Sequence, residues 1–356
     1  MRILHVITSL QTGGAETLVV NLVPCFVALG HRMGVVVFNG TQTALMERLE
    51  EECPECMIYR LGNSFYNPWY IVKMIRIMEN YDIVHTHNSS PQLFVAIANL
   101  FCRKKIVTTE HSTNNRKREQ GGIFRVLDKW MYHQYHQVIC ISNIAKEMLK
   151  EYLGGVHCNI CTINNGVNVD RFHNAALSKE LKTDKFVVVM VAGFREAKDQ
   201  DTVIRAITLL PPNVYELWLV GDGVRRVELE NLVDNLKPQN CVKFLGVRTD
   251  VPRILKTADV IVMSSHWEGL SLSNIEGMSV GKPFVASDVN GLKEVTKGYG
   301  VLFPHGDADT LAKIISQLHE DKHYYQQIAD KCYERAQQFD IRETVKKYND
   351  LYLTLA

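Results

Sequence analysis

The chain has 356 residues, 46% of them hydrophobic and 22% charged, with 40 Lys and Arg against 39 Asp and Glu. The length predicts two domains, and the ordinary composition excludes disordered and fibrous classes. A net charge of +1 gives no sign of a dedicated nucleic-acid binder. No apolar run is long enough to span a bilayer. The N-terminal stretch is broken by His5 and reads as a first strand rather than a secretory leader. Nine scattered cysteines, an odd number, fit reduced thiols in a cytosolic protein. The pairs Cys53–Cys56 and Cys158–Cys161 lie too far apart in the chain for a zinc ribbon and read as unrelated thiols.

In chain order, strands are expected at 2–8, 33–38, 82–86, 105–109 and 137–141. Amphipathic helices fit at 15–29, 69–79, 91–101, 123–135 and 143–152. The second half repeats the plan, with strands at 186–192, 215–220, 242–245, 260–263 and 283–286. Helices fit there at 202–210 and 274–280, and helices dominate after Thr310. The polar segment 169–184 reads as the linker. Short apolar strands alternating with helices predict an α/β chain of two doubly wound, Rossmann-like domains, which bind ligands at the carboxyl ends of their strands.

The dinucleotide fingerprint fails twice. Ser9-Leu-Gln-Thr-Gly13-Gly14-Ala-Glu16 has no GxGxxG, and Gly221-Asp-Gly223 runs into Arg226 where the third glycine belongs. Gly13 and Gly14 leave two readings open, an anion cradle at a helix start or a simple tight turn. The richest segment runs from Ser264 through Glu268 and Glu276 to Pro283. A strand end, a small-residue loop and a helix start form a pyrophosphate cradle, and two carboxylates can accept from sugar and ribose hydroxyls. A plainer reading makes Ser273 and Glu276 a capping box and Glu268 a surface charge.

The spacing of Glu268 and Glu276 resembles the Glu-x7-Glu motif of retaining GT-B glycosyltransferases of family four, the glycosyl transferases group 1. Gly13-Gly14-Ala15-Glu16, the strand end Asp82 to His87, Thr109-Glu-His111-Ser, Asn164 to Phe172, Val220 to Gly223 and Phe244-Leu-Gly246 resemble further family segments in the same order. The resemblance implies a GT-B fold with an acceptor-side domain at 1–168 and a nucleotide-sugar domain at 169–340. A C-terminal helix at 341–356 would pack back on the first domain, and the two domains would face each other across a cleft. It also implies a metal-independent, retaining hexosyltransferase that needs no cofactor beyond its substrate.

Carried over, Glu268 binds the donor sugar near the reacting carbon and His111 lies beside the anomeric centre. Glu276 holds the ribose. Gly269, Leu270, Ser271 and Ser273 offer N–H groups to the diphosphate. Gly13, Gly14 and Gly221 line the donor side, and Val247 and Arg248 lie near the base. The family's second domain usually opens with an Arg and a Lys that clamp the diphosphate. Here Lys198 matches, but Gly193 stands where the Arg belongs, and Arg195 is the candidate replacement.

The expected donor is a UDP-sugar, with GDP next. The expected acceptor is a glycan or lipid-linked precursor of bacterial surface polysaccharide, made at the inner face of the plasma membrane. Arg116 and Arg118, ahead of an aromatic amphipathic helix, suit an anionic acceptor or peripheral membrane contact. His85 and His87 read as structural groups rather than metal ligands. The rivals are a nucleotide-sugar epimerase, a pyridoxal-phosphate phosphorylase and a non-catalytic sugar-nucleotide-binding partner subunit.

Overall fold

The computed structural model describes residues 1–11, 13–111, 122–155, 158–238, 240–268 and 272–356. The chain divides into two compact units. Unit 1 comprises Met1–Gly166 and Ile341–Ala356, and unit 2 comprises Val167–Asp340.

Unit 1 holds strands β1 (Arg2–Ile7), β2 (Arg32–Asn39), β3 (Met57–Gly62), β4 (Ile83–His87), β5 (Lys105–Glu110), β6 (Gln137–Cys140) and β7 (Ile160–Thr162). They form one sheet in the order β3-β2-β1-β4-β5-β6-β7, and every pairing is parallel. Unit 2 holds β8 (Phe186–Val191), β9 (Tyr215–Val220), β10 (Cys241–Gly246), β11 (Val260–Met263), β12 (Phe284–Ser287) and β13 (Val301–Phe303). Its order is β10-β9-β8-β11-β12-β13, again all parallel. Each unit is therefore a doubly wound sheet. In each, the winding reverses between two neighbouring strands, β1 and β4 in unit 1, β8 and β11 in unit 2. Such a reversal opens a crevice at the carboxyl edge of the sheet.

Burial explains why these segments are strands. In unit 1 the two faces of the sheet meet separate cores. Ile3, Ile7 and Val107 point to one, and Leu4, Val6 and Val84 point to the other. Strands covered on both faces read as near-continuous apolar runs. The strands that escape sequence reading lack such runs: the edge strands β3 and β7 are only partly buried, and β13 has three residues. Helices at Ala44–Glu52 and Arg226–Leu236 escape because so little of them is buried, Met46 and Leu49 in one and Leu229 in the other. The expected linker begins instead with a helix at Val169–His173. Asn168 caps it by accepting from the Arg171 N–H, and Val169 and Phe172 are buried in the unit 2 core.

The final helix, Ile341–Leu355, belongs to unit 1 and inserts Tyr348 and Tyr352 into its core. The Tyr352 hydroxyl meets His85 Nδ1 at 2.5 Å, His85 Nε2 meets Thr109 Oγ1 at 2.7 Å, and Thr109 meets the Tyr348 hydroxyl at 3.1 Å. Removing one member strands a buried polar atom. Tyr352→Phe is expected to destabilise unit 1 by about 1–3 kcal/mol. Tyr352→Ala, which also opens a cavity, should cost about 3–5 kcal/mol. Urea denaturation of both variants checks the ranking, and equal costs would contradict it.

Candidate functional site

The reversal point of unit 2 gathers the strongest set of expected residues. The loop after β8 carries Gly193, Arg195 and Lys198, and the loop after β11 carries Glu268. Their backbones are stitched together. Asp199 N–H donates to Ser264 O at 3.0 Å, and His266 N–H donates to Ala197 O at 2.9 Å. The Ser264 hydroxyl donates to Asp199 Oδ2 at 2.8 Å, and the other Asp199 oxygen caps the helix Gln200–Thr208 through the Thr202 N–H. This lacing brings the Lys198 ammonium into contact with the Glu268 carboxylate, which also accepts from Ser265 Oγ at 2.9 Å. Both side chains are largely covered, at 18% and 14% exposure.

Burial, and then the like charge of Arg195, pull the Lys198 ammonium down to about 8. The Glu268 carboxylate opposes that pull by favouring the charged form. Arg195 is exposed, and its side chain folds back over Gly193. A Cβ added at Gly193 would lie 3.6 Å from Arg195 Nε. Two cations thus crowd one edge of the sheet, an arrangement suited to a multiply charged anion.

Arg225 went unnoticed in the sequence. It donates to the Lys198 carbonyl at 3.1 Å and to Asp201 at 2.7 Å, and so holds the loop that presents Lys198. A Gly-Asp-Gly stretch lies beside it. A Cβ at Gly221 would come within reach of Ala192 O at 2.1 Å, and one at Gly223 within 2.4 Å of Phe194 O. Gly221 also has φ +139. These glycines are required by the backbone packing of the two loops.

The remaining donor-side residues lie as follows. Glu276 and Ser273 sit half-buried in the helix Leu272–Ser279. Ser273 lies inside that helix, not at its N-cap, so the capping-box alternative does not hold. Val247, exposed, and Arg248 follow β10, but the Arg248 guanidinium is bound in a fork by Asp250, at 2.8 and 2.9 Å. Gly269, Leu270, Ser271, Arg116 and Arg118 lie outside the described residues.

In unit 1, Gly13 is extended and Gly14 opens the helix Gly14–Ala28 after β1. Glu16 on this helix accepts from Asn88 Nδ2 at 3.3 Å, and burial raises its carboxyl group's pKa. Asn88 follows β4 with φ +69, a conformation unusual for a residue with a side chain. His111 follows β5 and continues inward as a chain of imidazoles. Its Nε2 meets His87 Nδ1 at 2.9 Å, and His87 Nε2 meets His5 Nδ1 at 2.9 Å. Burial lowers all three, His5 to about 3 and His111 to about 4, so the rings are neutral. Only His111 was singled out for a role at the site. The signal for His5 and His87 is their place as polar residues on apolar strands at the reversal point, and Asn88 follows directly after β4.

Among the described residues, two groups could offer three ligand atoms to a cation: His5, His85 and His87, and Asp199, His266 and His305. The first is a stack. His85 stacks on His87 and has both ring nitrogens engaged, by Tyr352 and Thr109, while His5 Nδ1 and His87 Nε2 face each other at 2.9 Å. In the second, both Asp199 oxygens already accept hydrogen bonds, and His266 Nδ1 faces His305 Nε2 at 2.6 Å. All nine cysteines are free thiols. Cys53 and Cys56 are buried, and burial pushes the Cys56 thiol to about 12. No described helix is long and apolar enough to cross a membrane.

Comparison with known proteins agrees with this architecture. Residues 12–171 match the family model described as Glycosyltransferase Family 4, and residues 174–339 match Glycosyl transferases group 1. Over 298 residues the chain is 28% identical to the UDP-Gal:alpha-D-GlcNAc-diphosphoundecaprenol alpha-1,3-galactosyltransferase of Escherichia coli, covering 78% of this chain and 76% of the relative. It is 27% identical to the N-acetyl-alpha-D-glucosaminyl L-malate synthase of Bacillus anthracis, covering 77% and 75%. In fold it is similar to Anabaena HepE solved with UDP-glucose, with a TM-score of 0.84, 23% identity and 99% and 100% coverage. It is also similar to WaaG, a glycosyltransferase involved in lipopolysaccharide biosynthesis, at TM-score 0.69, 15% identity and 98% and 99% coverage.

The buried imidazoles have a consequence for stability. Their folded-state pKa values lie below the unfolded value near 6.5, so the unfolded chain takes up protons first as the pH falls. Their stabilisation is complete above about 6.5 and is lost below it, on the order of 2 kcal/mol per histidine between pH 7 and pH 5. Hydrogen exchange of the β1 and β4 amides, corrected for intrinsic rates, should show protection falling over that range. Constant protection would contradict a neutral cluster.

Proposed function

Since the chain belongs to the glycosyl transferases group 1 of glycosyltransferase family 4, we propose that it moves a hexose-type sugar from UDP to an acceptor hydroxyl, with retention of anomeric configuration. The acceptor we propose is a lipid-linked or polysaccharide precursor in bacterial surface glycan synthesis, met at the inner face of the membrane. Unit 2 takes the donor and unit 1 the acceptor. The observation that carries this reading is the lacing of the loops after β8 and β11, which sets Lys198, Arg195 and Glu268 together at the reversal point of unit 2.

In the proposed reaction the acceptor oxygen bonds to the anomeric carbon as the bond from that carbon to the phosphate oxygen breaks. The departing diphosphate takes the acceptor's proton on the same face. Negative charge grows on the leaving oxygen, and fixed cations stabilise it better than water does. Lys198 and Arg195 supply that charge from side chains, which is why we propose a metal-independent reaction without a further cofactor. Glu268 accepts from sugar hydroxyls and Glu276 from the ribose. The uridine donor is supported by the name of the Escherichia coli relative and by the UDP-glucose in the HepE structure.

Thermal shift against UDP-, GDP- and ADP-sugars tests the reading. Ligand at a hundredfold excess over Kd adds about 2.7 kcal/mol to the folded state, which raises the melting temperature by roughly 5–10 °C for a unit of this size. The expected result is a shift with the UDP-sugar that both Lys198→Ala and Glu276→Ala abolish. No shift with any sugar nucleotide at millimolar concentration would overturn the proposal. Conversion of the donor sugar without an acceptor would point to the epimerase instead.

A further inference from the structure

The imidazole chain of unit 1 admits few proton arrangements. Each of the two ring-to-ring hydrogen bonds needs one N–H and one bare nitrogen, and each neutral ring carries a single proton. If His87 carries its proton on Nδ1, it donates to His111 Nε2, so His111 holds its own proton on Nδ1. His87 Nε2 is then bare and accepts from His5 Nδ1–H. If His87 carries its proton on Nε2, every assignment reverses. His111 Nδ1 becomes bare, and His5 holds its proton on Nε2. No third neutral arrangement keeps both hydrogen bonds.

The two free ends of the chain decide between them. His5 Nε2 and His111 Nδ1 are both buried, and neither has a partner among the described residues. His5 lies inside the core, next to Phe26 on the helix Gly14–Ala28. In the reversed arrangement the unpaired N–H lies on His5, a ring with no exposed surface. A buried N–H without an acceptor is the costlier orphan; a bare nitrogen is the cheaper one. In the first arrangement the bare nitrogen is the one in the core. The unpaired N–H falls on His111, a partly exposed residue just past the carboxyl end of β5, whereas His5 is fully buried.

We propose that His5 and His87 are positioning residues that fix His111 as an Nδ1–H donor, and that this N–H is a binding point for a substrate hydroxyl or phosphate oxygen. Nothing in the ring remains to take a proton, since Nε2 is occupied by the His87 N–H. His111 therefore binds and orients and does not act as a base, and the acceptor's proton leaves with the diphosphate. The burial that keeps the rings neutral supports the same assignment. The stacking of His85 on His87, with centroids 4.4 Å apart, holds the central ring in place. The identity of the substrate oxygen rests on the proposed transferase function; the tautomer assignment does not.

The test reads ring nitrogens directly. In protein labelled with 15N-histidine at pH 7.5, His5, His87 and His111 should each show a protonated Nδ1 and a bare Nε2. A protonated Nε2 on His111, or a cationic ring there, would overturn the proposal. A His87→Leu variant, checked for an intact amide spectrum, should no longer hold His111 in a single tautomer, because the donor to its Nε2 is gone. Unchanged His111 nitrogen shifts in that variant would also overturn it. His111→Asn, which keeps an N–H near the Nδ1 position, should retain at least tenfold more kcat than His111→Gln with the donor KM similar in both; equal loss in the two variants would contradict a binding role for Nδ1. Donor binding by thermal shift is read separately, so failure of the transferase reading and failure of the tautomer assignment give different patterns.

Discussion

Unit 2 depends on one contact between opposite charges, the Lys198 ammonium against the Glu268 carboxylate in a largely covered position. A buried charge without a partner is strongly destabilising, so each group here makes the other tolerable. The contact forms because β8 and β11 are neighbours whose following loops are laced by backbone bonds. Arg225 braces the loop from the far side by bonding the Lys198 carbonyl. The two groups are thereby ordered before any ligand arrives, which lowers the entropy lost on binding.

Unit 1 solves the same problem of polar groups in a dry interior in another way. Its reversal point carries neutral imidazoles in place of charges, and these are satisfied by one another, by Thr109 and by the tyrosines of the final helix. The cost falls on the two end rings, His5 and His111, where one nitrogen each lacks a partner among the described residues. The hydrogen bonds that seat the last helix on its unit meet this imidazole chain through the stacking of His85 on His87. Polar networks of this kind rigidify a core when every member is satisfied and leave conspicuous gaps when one is not.

Much of this architecture is legible in the sequence because fully covered parallel strands need continuous apolar runs. Phe186 to Val191 and Val260 to Met263 announce themselves in that way. Strands β3 and β7 do not, because edge strands are only half covered, and the helix at Val169–His173 hides in a polar stretch whose two apolar residues do all of its anchoring. At the site, Lys198 and Glu268 are visible through motif resemblance. Arg225 is not, since its task depends on a loop distant in sequence. His5 looks like an interruption of a strand until its register places it opposite His85 on β4. Gly193 looks like a lost cation until the Arg195 side chain is found lying across it.

That last relation offers the most direct measurement of the central claim, that two cations at the carboxyl edge of unit 2 hold the donor's diphosphate. Gly193 has room for a side chain once Arg195 is shortened, since the nearest backbone atom to an added Cβ, Asp222 O, is 3.7 Å away. UDP affinity measured by calorimetry should fall about tenfold or more in Arg195→Ala, the worth of a charge-assisted hydrogen bond. It should return towards the original value when Gly193→Arg is added to that variant. Affinity unchanged in Arg195→Ala would contradict the account, and so would a loss that Gly193→Arg leaves untouched.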